Sequence, residues 1–370
     1  MLTFPPRDPA EAHRGATPLE LLFDLASVVA IGAAAQGLAA LVADGRTVDG
    51  LLGFLPGFFM VWWAWMNYTW FASSYDDGST AFRALSMTIM FGALILAAGI
   101  DAVFLAEPIW LALLGFVVMR LGCVALWLGA ARGDSARRVT ARRYAGGIVA
   151  MQLYWVGLVA LVPPDAWLYL PLFVLGACGE LAVPAIAERA GATPWHRQHI
   201  VSRYGRLNLI VLGQAFLAVV TAIELAPGAV FPEGDGLWRA LLFAVIAFSL
   251  WSLYFTDGGH LRHDSLRHAL LWGYGHIVVF GAGAAVGAGM QAVLHIEDGA
   301  AGSRMVALAA ALYCAMLWLI RDRYNTDGRA RWSLLVAAAL VAGLGAVASL
   351  GLAATALVLV AAALVRRRPG

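Results

Sequence analysis

The chain has 370 residues, of which 61% are hydrophobic and 13% are charged, and its mean hydropathy is +0.77. Soluble domains contain about 45–50% apolar and about 25% charged residues, so this composition excludes a soluble globular protein. The formal net charge is only +2, and all 25 basic residues are arginines placed mostly in short loops, which argues against a nucleic-acid-binding surface. We expect the membrane bundle to be the whole protein.

Twelve apolar segments are long enough to cross a membrane, since a hydrocarbon core of about 30 Å needs about 20 helical residues. The polar segment 1–18 precedes them, and the first apolar run is too long for the core of a signal peptide. We therefore predict an all-α, polytopic membrane helix bundle of about 12 transmembrane helices. The predicted spans are approximately 19–42, 51–73, 82–103, 109–131, 144–162, 167–187, 206–225, 237–255, 269–293, 305–320, 332–348 and 350–365.

The positions of the arginines predict the orientation, because cytoplasmic loops collect positive charge. With the N-terminus inside, clusters at 132–143 and 366–368 fall on the cytoplasmic side, whereas Arg46, Arg239 and Arg304 fall outside. An even number of spans is needed to keep this asymmetry. Both termini are therefore predicted to be cytoplasmic.

Short matches at a constant offset indicate an internal repeat. Trp62 and Trp251 lie 189 residues apart, and the same offset aligns residues 91–93 with residues 280–282. Six helices in each copy would insert both copies the same way up. The predicted organisation is a cytoplasmic segment, 1–18, followed by two parallel six-helix halves, 19–190 and 191–370.

Ionisable residues inside a membrane cost about 2.5–3.5 kcal/mol each, so each needs a partner or a function. Thr17 and Glu20 have the spacing of a capping box at the start of the first span, which gives Glu20 a structural explanation. Asp24 lies one turn deeper, where no capping role is available. Its alternatives are a static ion pair or hydrogen bond and a role in transport or proton relay.

Arg120 lies near the middle of the fourth span, too deep to reach either interface by snorkelling. It needs an anionic or carbonyl partner, and Asp24 and Glu180 are the two plausible carboxylates. The sequence leaves this choice open. Glu180 is also close enough to the cytoplasmic end to be hydrated, so a structural pair and a functional group are both open.

Two further polar residues in apolar spans have two interpretations each. Asn67 belongs to an aromatic segment, 62–71, and either joins an interfacial belt or lines a cavity. His276 is either a hydrogen-bonded helix partner or a proton carrier. The cysteines and the cluster of His260, His263 and His268 lack metal-ligand spacing, and no catalytic motif of a soluble enzyme is present. We predict no cofactor, no metal and no enzymatic activity.

Several of these positions together resemble the low temperature requirement A (LtrA) family. The segment from Glu20 to Leu25 is similar to that family's opening motif, usually Glu-Leu-Phe-Phe-Asp-Leu, and further motifs follow in the family's order to His276. The motif positions are Glu20, Asp24, Trp65, Asn67, Tyr68, Trp70, Asp76, Asp77, Arg203, Tyr204, Gly205, Gly213, Tyr254 and His276.

The resemblance implies a multi-pass protein of the bacterial inner (plasma) membrane, and it supplies no established activity or substrate. This chain departs from the family pattern at Ser202 and at Gln214, where the family commonly has glutamate. The loss of two acids, one of them in a membrane span, weakens the case for any shared proton-coupled chemistry.

The leading hypothesis is a transporter or permease-like protein in the lipid bilayer that carries an unidentified small solute, because a dozen helices with a parallel repeat and intramembrane charges recur in secondary transporters. Its alternatives are a membrane enzyme or accessory protein acting on lipids or the envelope, and a structural scaffold. No oligomeric state is predicted. The predicted polar core consists of Asp24, Asn67, Arg120, Glu180, Gln214 and His276.

Overall fold

The computed structural model describes residues 2–12, 14–225, 235–256, 261, 266–295, 299–325, 330–345 and 351–366. Within these residues each predicted span is matched by a helix, and the regular structure is helical throughout, which confirms the all-α prediction. The long helices are α1 (Pro18–Ala43), α2 (Thr47–Tyr75), α3 (Thr80–Ala98), α4 (Trp110–Gly133), α5 (Arg138–Leu161), α6 (Tyr169–Ala187), α7 (Arg197–Glu224), α8 (Asp235–Phe255), α9 (Leu266–His295), α10 (Ala300–Leu317), α11 (Ala330–Gly345) and α12 (Gly351–Arg366).

Helices α1 to α10 are long and apolar enough to cross a membrane. The chain is therefore a multi-pass helical membrane protein. The uncharged run 332–365 forms two helices rather than one, as predicted, but α11 and α12 contain only 16 residues each. This is shorter than the roughly 20 residues that a typical span needs. The count of twelve spans thus stays a prediction, and residues 346–350 lie outside the described residues.

The chain forms two compact units. The first comprises Met1–Ala34 and Leu55–Arg203, and the second comprises Ala35–Phe54 and Tyr204–Gly370. The units are interleaved along the chain, because the second takes the end of α1 and the start of α2. The predicted repeat of two six-helix halves stays a prediction.

Within the first unit, α3, α4, α5 and α6 pack as sequential neighbours. The aromatic segment of α2 lies in the core of this unit rather than at its surface. Trp62, Trp63, Trp65 and Tyr68 are fully buried, and Tyr68 stacks on Phe23 with ring centroids 3.8 Å apart. Buried rings of this size supply much of the contact area that holds membrane helices together.

Within the second unit, α9 packs on α10, α10 on α11 and α11 on α12, and α12 also packs on α8. A five-residue π-helical turn, Trp318–Asp322, follows α10. Turns of this type interrupt the regular hydrogen bonding and redirect side chains. Here the turn directs Arg321 and Asp322 into the interior, where both are fully buried.

A pair of glycines permits a close backbone contact between two helices in each unit. A methyl group at Gly115 of α4 would lie 2.3 Å from the Leu96 nitrogen and 2.6 Å from the Gly92 oxygen of α3. In the second unit, a methyl group at Gly302 would lie 2.7 Å from the Gly289 oxygen. These contacts are backbone to backbone, so a side chain there forces the helices apart.

Gly115→Ala is therefore expected to destabilise the protein by about 1–3 kcal/mol through overpacking. Gly157→Ala in α5 is the matched control, because a methyl group at Gly157 meets nothing within 4 Å. It should leave stability unchanged or raise it slightly, since alanine favours helix over glycine. Unfolding in mixed detergent and SDS, followed by circular dichroism, measures both. Equal stability of the two variants would contradict the close contact.

The residues before α1 form an N-terminal strap, residues 2–12 and 14–16, across helix ends of the first unit. The Phe4 nitrogen donates to the Gly129 carbonyl at 3.2 Å, and the Phe4 ring packs edge-on against Phe71. Arg14 donates to the Ala72 carbonyl at 2.6 Å and also to the Ser73 carbonyl, at the end of α2. Burial lowers the pKa of Arg14, but carbonyl oxygens left unpaired at a helix C-terminus are good partners for a cation.

Candidate functional site

Two carboxylates of α1 face two side chains of α7 inside the first unit. His199 Nε2 lies 2.9 Å from Glu20 Oε1, and Arg203 Nη2 donates to Asp24 Oδ1 at 2.7 Å. The members on each helix are four residues apart and therefore share one helix face. All four side chains are buried. We call Glu20, Asp24, His199 and Arg203 the α1–α7 ion-pair cluster.

Glu20 has two roles in this cluster. The Thr17 nitrogen donates to Glu20 Oε2 at 2.8 Å, and the Glu20 nitrogen donates to Thr17 Oγ1 at 3.3 Å. The predicted capping box is confirmed by this reciprocal pair. The other carboxylate oxygen, Oε1, is directed at His199, a contact that the capping motif does not require.

Asp24 is part of a buried ion pair. Besides Arg203, its Oδ1 accepts a hydrogen bond of 2.7 Å from Trp65 Nε1. The Arg203 guanidinium also lies over the Trp65 ring, 5.8 Å from its centroid, and its Nη2 is 3.4 Å from Thr69 Oγ1. Asp24 is thus held by a cation and an indole, and its charge is neutralised within one unit.

The start of α7 corrects the predicted seventh span. The helix begins at Arg197 and not near residue 206, so the predicted boundary was wrong by more than two turns. His196, His199 and Arg203 lower the hydropathy of this stretch, which made it look like a loop. The carboxylates of α1 compensate the charge of the deeper residues, so the helix continues.

Arg120 pairs with Glu180 and not with Asp24, which answers the question that the sequence left open. Its Nη2 donates to Glu180 Oε2 at 2.7 Å, and both side chains are fully buried. Glu180 also accepts hydrogen bonds from Trp63 Nε1 at 2.8 Å, Trp155 Nε1 at 3.2 Å and Gln152 Nε2 at 3.3 Å. The hydrated alternative for Glu180 is wrong, because its partners are protein donors and its exposed fraction is zero.

Helix α2 supplies an indole donor to each of the two buried carboxylates. Trp63 and Trp65 are two residues apart and point to nearly opposite sides of the helix. One reaches Glu180 and the other reaches Asp24. Asn67 follows Trp63 by one helical turn, and its side chain donates to the Trp63 carbonyl at 2.8 Å. Asn67 is buried, and it lines neither of the two cavities described below.

His276 belongs to a buried group in the second unit. Its Nδ1 is 2.8 Å from the Trp272 carbonyl and its Nε2 is 3.0 Å from the Tyr254 hydroxyl. A carbonyl only accepts, so Nδ1 donates to the Trp272 carbonyl. In a neutral imidazole Nε2 then accepts from the Tyr254 hydroxyl, and in an imidazolium it donates to that hydroxyl. Arg321 donates to the Tyr254 carbonyl at 2.7 Å and ties this group to the π-helical turn.

Asp322 in the same turn holds two arginines. Arg321 Nε donates to Asp322 Oδ1 at 2.7 Å. Arg366, at the end of α12, also pairs with Asp322, with Nη2 donating to Oδ1 at 3.2 Å. The sequence predicts that Arg366 belongs to a cytoplasmic arginine cluster, but its side chain is buried. Arg367 and Arg368 of the same cluster lie outside the described residues.

The remaining motif residues have structural contacts. Tyr68 donates to Ser86 at 3.0 Å, and Trp70 contacts Trp195 with centroids 5.1 Å apart. Tyr204 packs against His276, with ring centroids 5.0 Å apart. At Gly205 a methyl group would lie 3.2 Å from the Phe255 ring, whereas at Gly213 it would meet nothing within 4 Å. Asp76 and Asp77 form the loop between α2 and α3 that is described further below.

A cavity of about 570 Å³ lies within the second unit, and Gln214 lines it. Two further glutamines, Gln36 and Gln291, line the same space. Most of the other wall residues are alanine or glycine. A methyl group at Gly287 would lie 2.7 Å from the Gln214 Cβ, so α9 and α7 meet closely beside the cavity.

The six predicted core residues therefore fall into separate groups. Asp24 lies in the α1–α7 ion-pair cluster, Arg120 and Glu180 form a second pair, and Asn67 bonds its own helix. Gln214 and His276 lie in the second unit, in different surroundings.

Comparison with known proteins identifies the family. A family model described as bacterial low temperature requirement A protein (LtrA) matches residues 15–366, nearly the whole chain. The chain belongs to the LtrA family. This LtrA-family protein is 24% identical over 284 residues to an uncharacterised protein of Rhizobium meliloti (strain 1021). That match covers 71% of this chain and 65% of the relative's length. No solved structure matches the chain.

Sequence reasoning missed several residues of these groups. His199 was not singled out, and Arg203 was noted only as part of the LtrA motif and not as an intramembrane cation. Gln36 and Gln291 were also missed, although glutamines in apolar spans are uncommon enough to have served as a signal. Arg321 and Asp322 lie just beyond the predicted span 305–320, because the π-helical turn that buries them is not readable from the sequence.

Proposed function

We propose that this LtrA-family protein is a transporter for a small, uncharged, polar solute, without enzymatic activity. The proposal places it in the bacterial inner membrane with both termini in the cytoplasm, in agreement with the arginine distribution. The observation that carries the proposal is the cavity lined by Gln36, Gln214 and Gln291. We call it the amide cavity.

The chemistry of the amide cavity suits a neutral solute. Each glutamine amide offers two donors and a carbonyl acceptor, so three amides recognise hydroxyl, carbonyl or amide groups without requiring a charge. A volume of about 570 Å³ is within the range of small-molecule sites, about 300–1,000 Å³. The small alanine and glycine side chains around the amides leave room for the solute.

The amide cavity extends along α1 between polar groups. Asp44 and His295, at the ends of α1 and α9, are exposed and line it. Gln36 is two helical turns before Asp44, which is about 12 Å at 1.5 Å per residue, and it is exposed, whereas Gln214 and Gln291 are half-buried. A solute would therefore enter past exposed polar groups and meet the half-buried amides of Gln214 and Gln291.

The buried ion pairs are separate from the amide cavity, which supports different roles for the two. Asp24 with Arg203 and Arg120 with Glu180 are enclosed by protein donors, which suits groups that hold helices together. We therefore assign solute recognition to the amide cavity and helix positioning to the ion pairs. This revises the hypothesis of a single polar core, in which charges and amides served one site.

Solute entry into proteoliposomes tests the proposal. The purified protein is reconstituted, and entry of glycerol, erythritol, urea and glucose is followed by light scattering, with and without an inward proton gradient. At least one solute should enter faster than into protein-free liposomes. Gln214→Leu and Gln291→Leu should each slow that entry by about tenfold, because an unpaired polar group of the solute costs about 1–3 kcal/mol.

Thr221→Val is the matched control. Thr221 lies on α7 and its hydroxyl bonds the Leu217 carbonyl of its own helix at 3.0 Å, so the change removes a polar group outside the amide cavity. It should leave entry unchanged. The proposal fails if no solute in the panel enters faster than into protein-free liposomes, or if both glutamine variants transport like the wild type.

A further inference from the structure

A second cavity, of about 790 Å³, lies in the first unit where α1 and α3 begin. Its wall combines the N-terminal strap with the loop between α2 and α3, and it includes Arg7, Asp76, Asp77 and Arg83. The Asp76 and Asp77 motif found in the sequence is therefore part of a charged cavity. The amide cavity does not involve these residues.

One side of this cavity is cationic. Arg83, in the first turn of α3, is exposed, and its guanidinium makes no hydrogen bond or ion pair with any residue that the structure describes. Arg7 is fixed, because it donates to the Asp76 carbonyl at 2.9 Å and to both Glu11 oxygens at 2.9 Å. A free guanidinium beside a fixed one suits a phosphate group.

Two carboxylates line the cavity next to the arginines. Asp76 Oδ1 accepts from the Gly78 nitrogen at 2.9 Å, and Asp77 Oδ1 accepts from the Ser79 nitrogen at 3.0 Å. These turns fix the direction of both carboxylates. Burial raises the pKa of Asp76, because the charged form of its carboxylate loses hydration. A cationic group placed beside Asp76 and Asp77 would stabilise the charged form of both.

The cavity wall also has an apolar part at Leu22, and exposed apolar side chains continue from it along α1. Leu22 lines the cavity and is 49% exposed, and Leu25 and Val29 follow with 55% and 50% exposure. The charged part of the cavity therefore lies at the start of an apolar helix, where headgroups of a bilayer meet acyl chains. A free soluble zwitterion would make no use of this surface.

We propose that this cavity binds the headgroup of a phospholipid that carries a primary amine, of the phosphatidylethanolamine type. Arg83 with Arg7 holds the phosphate, and Asp77 with Asp76 holds the ammonium. An acyl chain lies along Leu22 and the exposed residues that follow it on α1.

The choice of a primary amine follows from hydrogen bonding. A primary ammonium has three N–H donors for carboxylate oxygens, whereas a quaternary ammonium has none and is recognised by aromatic rings. A lipid with an anionic headgroup would satisfy the arginines and face repulsion from the two aspartates. The proposal does not rest on the transport function, because lipid binding and solute entry are measured separately.

Native mass spectrometry of the purified full chain, titrated with palmitoyl-oleoyl phosphatidylethanolamine or phosphatidylglycerol, tests this site. The wild type should bind the ethanolamine lipid more tightly. Arg83→Gln should weaken binding of both lipids by about tenfold, since it removes a charge-assisted hydrogen bond. Asp77→Asn should weaken only the ethanolamine lipid, and the asparagine oxygen can still accept from Ser79.

Two exposed residues outside the cavity serve as controls. Arg132→Gln removes an exposed arginine that donates to the Leu128 carbonyl of its own helix, and Asp101→Asn removes an exposed aspartate. Both should bind lipid like the wild type. Circular dichroism of each variant establishes that it is folded, and lipid extracted from the purified variants provides a second measurement that does not depend on titration.

Three results would overturn the proposal. The first is equal affinity of the wild type for the two lipids. The second is unchanged ethanolamine-lipid binding in both cavity variants. The third is free phosphoethanolamine displacing the lipid at equal concentration, which would show that the ligand is a soluble zwitterion. Displacement only at a large excess of phosphoethanolamine supports the lipid.

Discussion

Arg203→Leu is expected to lower the free energy of unfolding by about 3–5 kcal/mol, the cost of breaking a buried ion pair by removing one partner. Asp24 would keep the Trp65 indole as its donor but lose its cation. Glu20, whose Oε1 is 3.8 Å from Arg203 Nη1, would lose this cation as well. Two carboxylates one turn apart would then remain on the same face of α1.

Unfolding in mixed detergent and SDS measures this loss. Arg203→Lys should lose less than Arg203→Leu, because lysine retains the charge and gives up the planar fork that reaches both Asp24 and Thr69. Arg132→Leu is the matched control for removing an arginine, since Arg132 is exposed. If Arg203→Leu unfolds at the same SDS fraction as this control, the α1–α7 ion-pair cluster does not stabilise the fold.

Glu180→Gln should destabilise the protein to a similar extent, by about 3–5 kcal/mol, and a second substitution should reverse most of that loss. The amide oxygen can still accept from Trp63, but the Arg120 guanidinium is left as an uncompensated buried cation. Adding Arg120→Met replaces the cation with a flexible apolar side chain. The double variant is therefore expected to be more stable than Glu180→Gln alone.

A double-mutant cycle on these two positions separates the ion pair from the other bonds of Glu180. Arg132→Met gives the effect of the same replacement at an exposed site. A double variant that is less stable than either single variant would contradict the pairing. Variants that remain folded should still admit solute through the amide cavity; loss of entry in folded protein would show that the ion pair also takes part in transport.

The helices could be predicted from hydropathy because a bilayer demands a long apolar stretch for each span. The prediction failed at the start of α7, where His199 and Arg203 lower the local hydropathy. Their partners, Glu20 and Asp24, are nearly 180 residues away in the chain, as the separation of 179 for Arg203 and Asp24 shows. A scale that scores each residue alone cannot register such compensation.

The candidate site was predictable only in part, for related reasons. The depth of Arg120 required a partner, but the choice of Glu180 depends on which helices are neighbours. Asn67 bonds to the backbone one turn before it, a local option that sequence reasoning did not weigh. Gln36 and Gln291 escaped attention because neutral amides carry a smaller hydropathy penalty than charges, and only the structure brings them beside Gln214.

The N-terminal strap has a consequence for biogenesis. Its residues are synthesised before the helices, yet Glu11 bonds His196, which is synthesised 185 residues later, with His196 Nε2 donating to the Glu11 carbonyl at 2.8 Å. At translation rates of about 5–20 residues per second, the strap waits on the order of ten seconds or more for this partner. Every residue that lines the charged cavity lies between positions 5 and 83, so the cavity wall is synthesised well before this last bond of the strap can form.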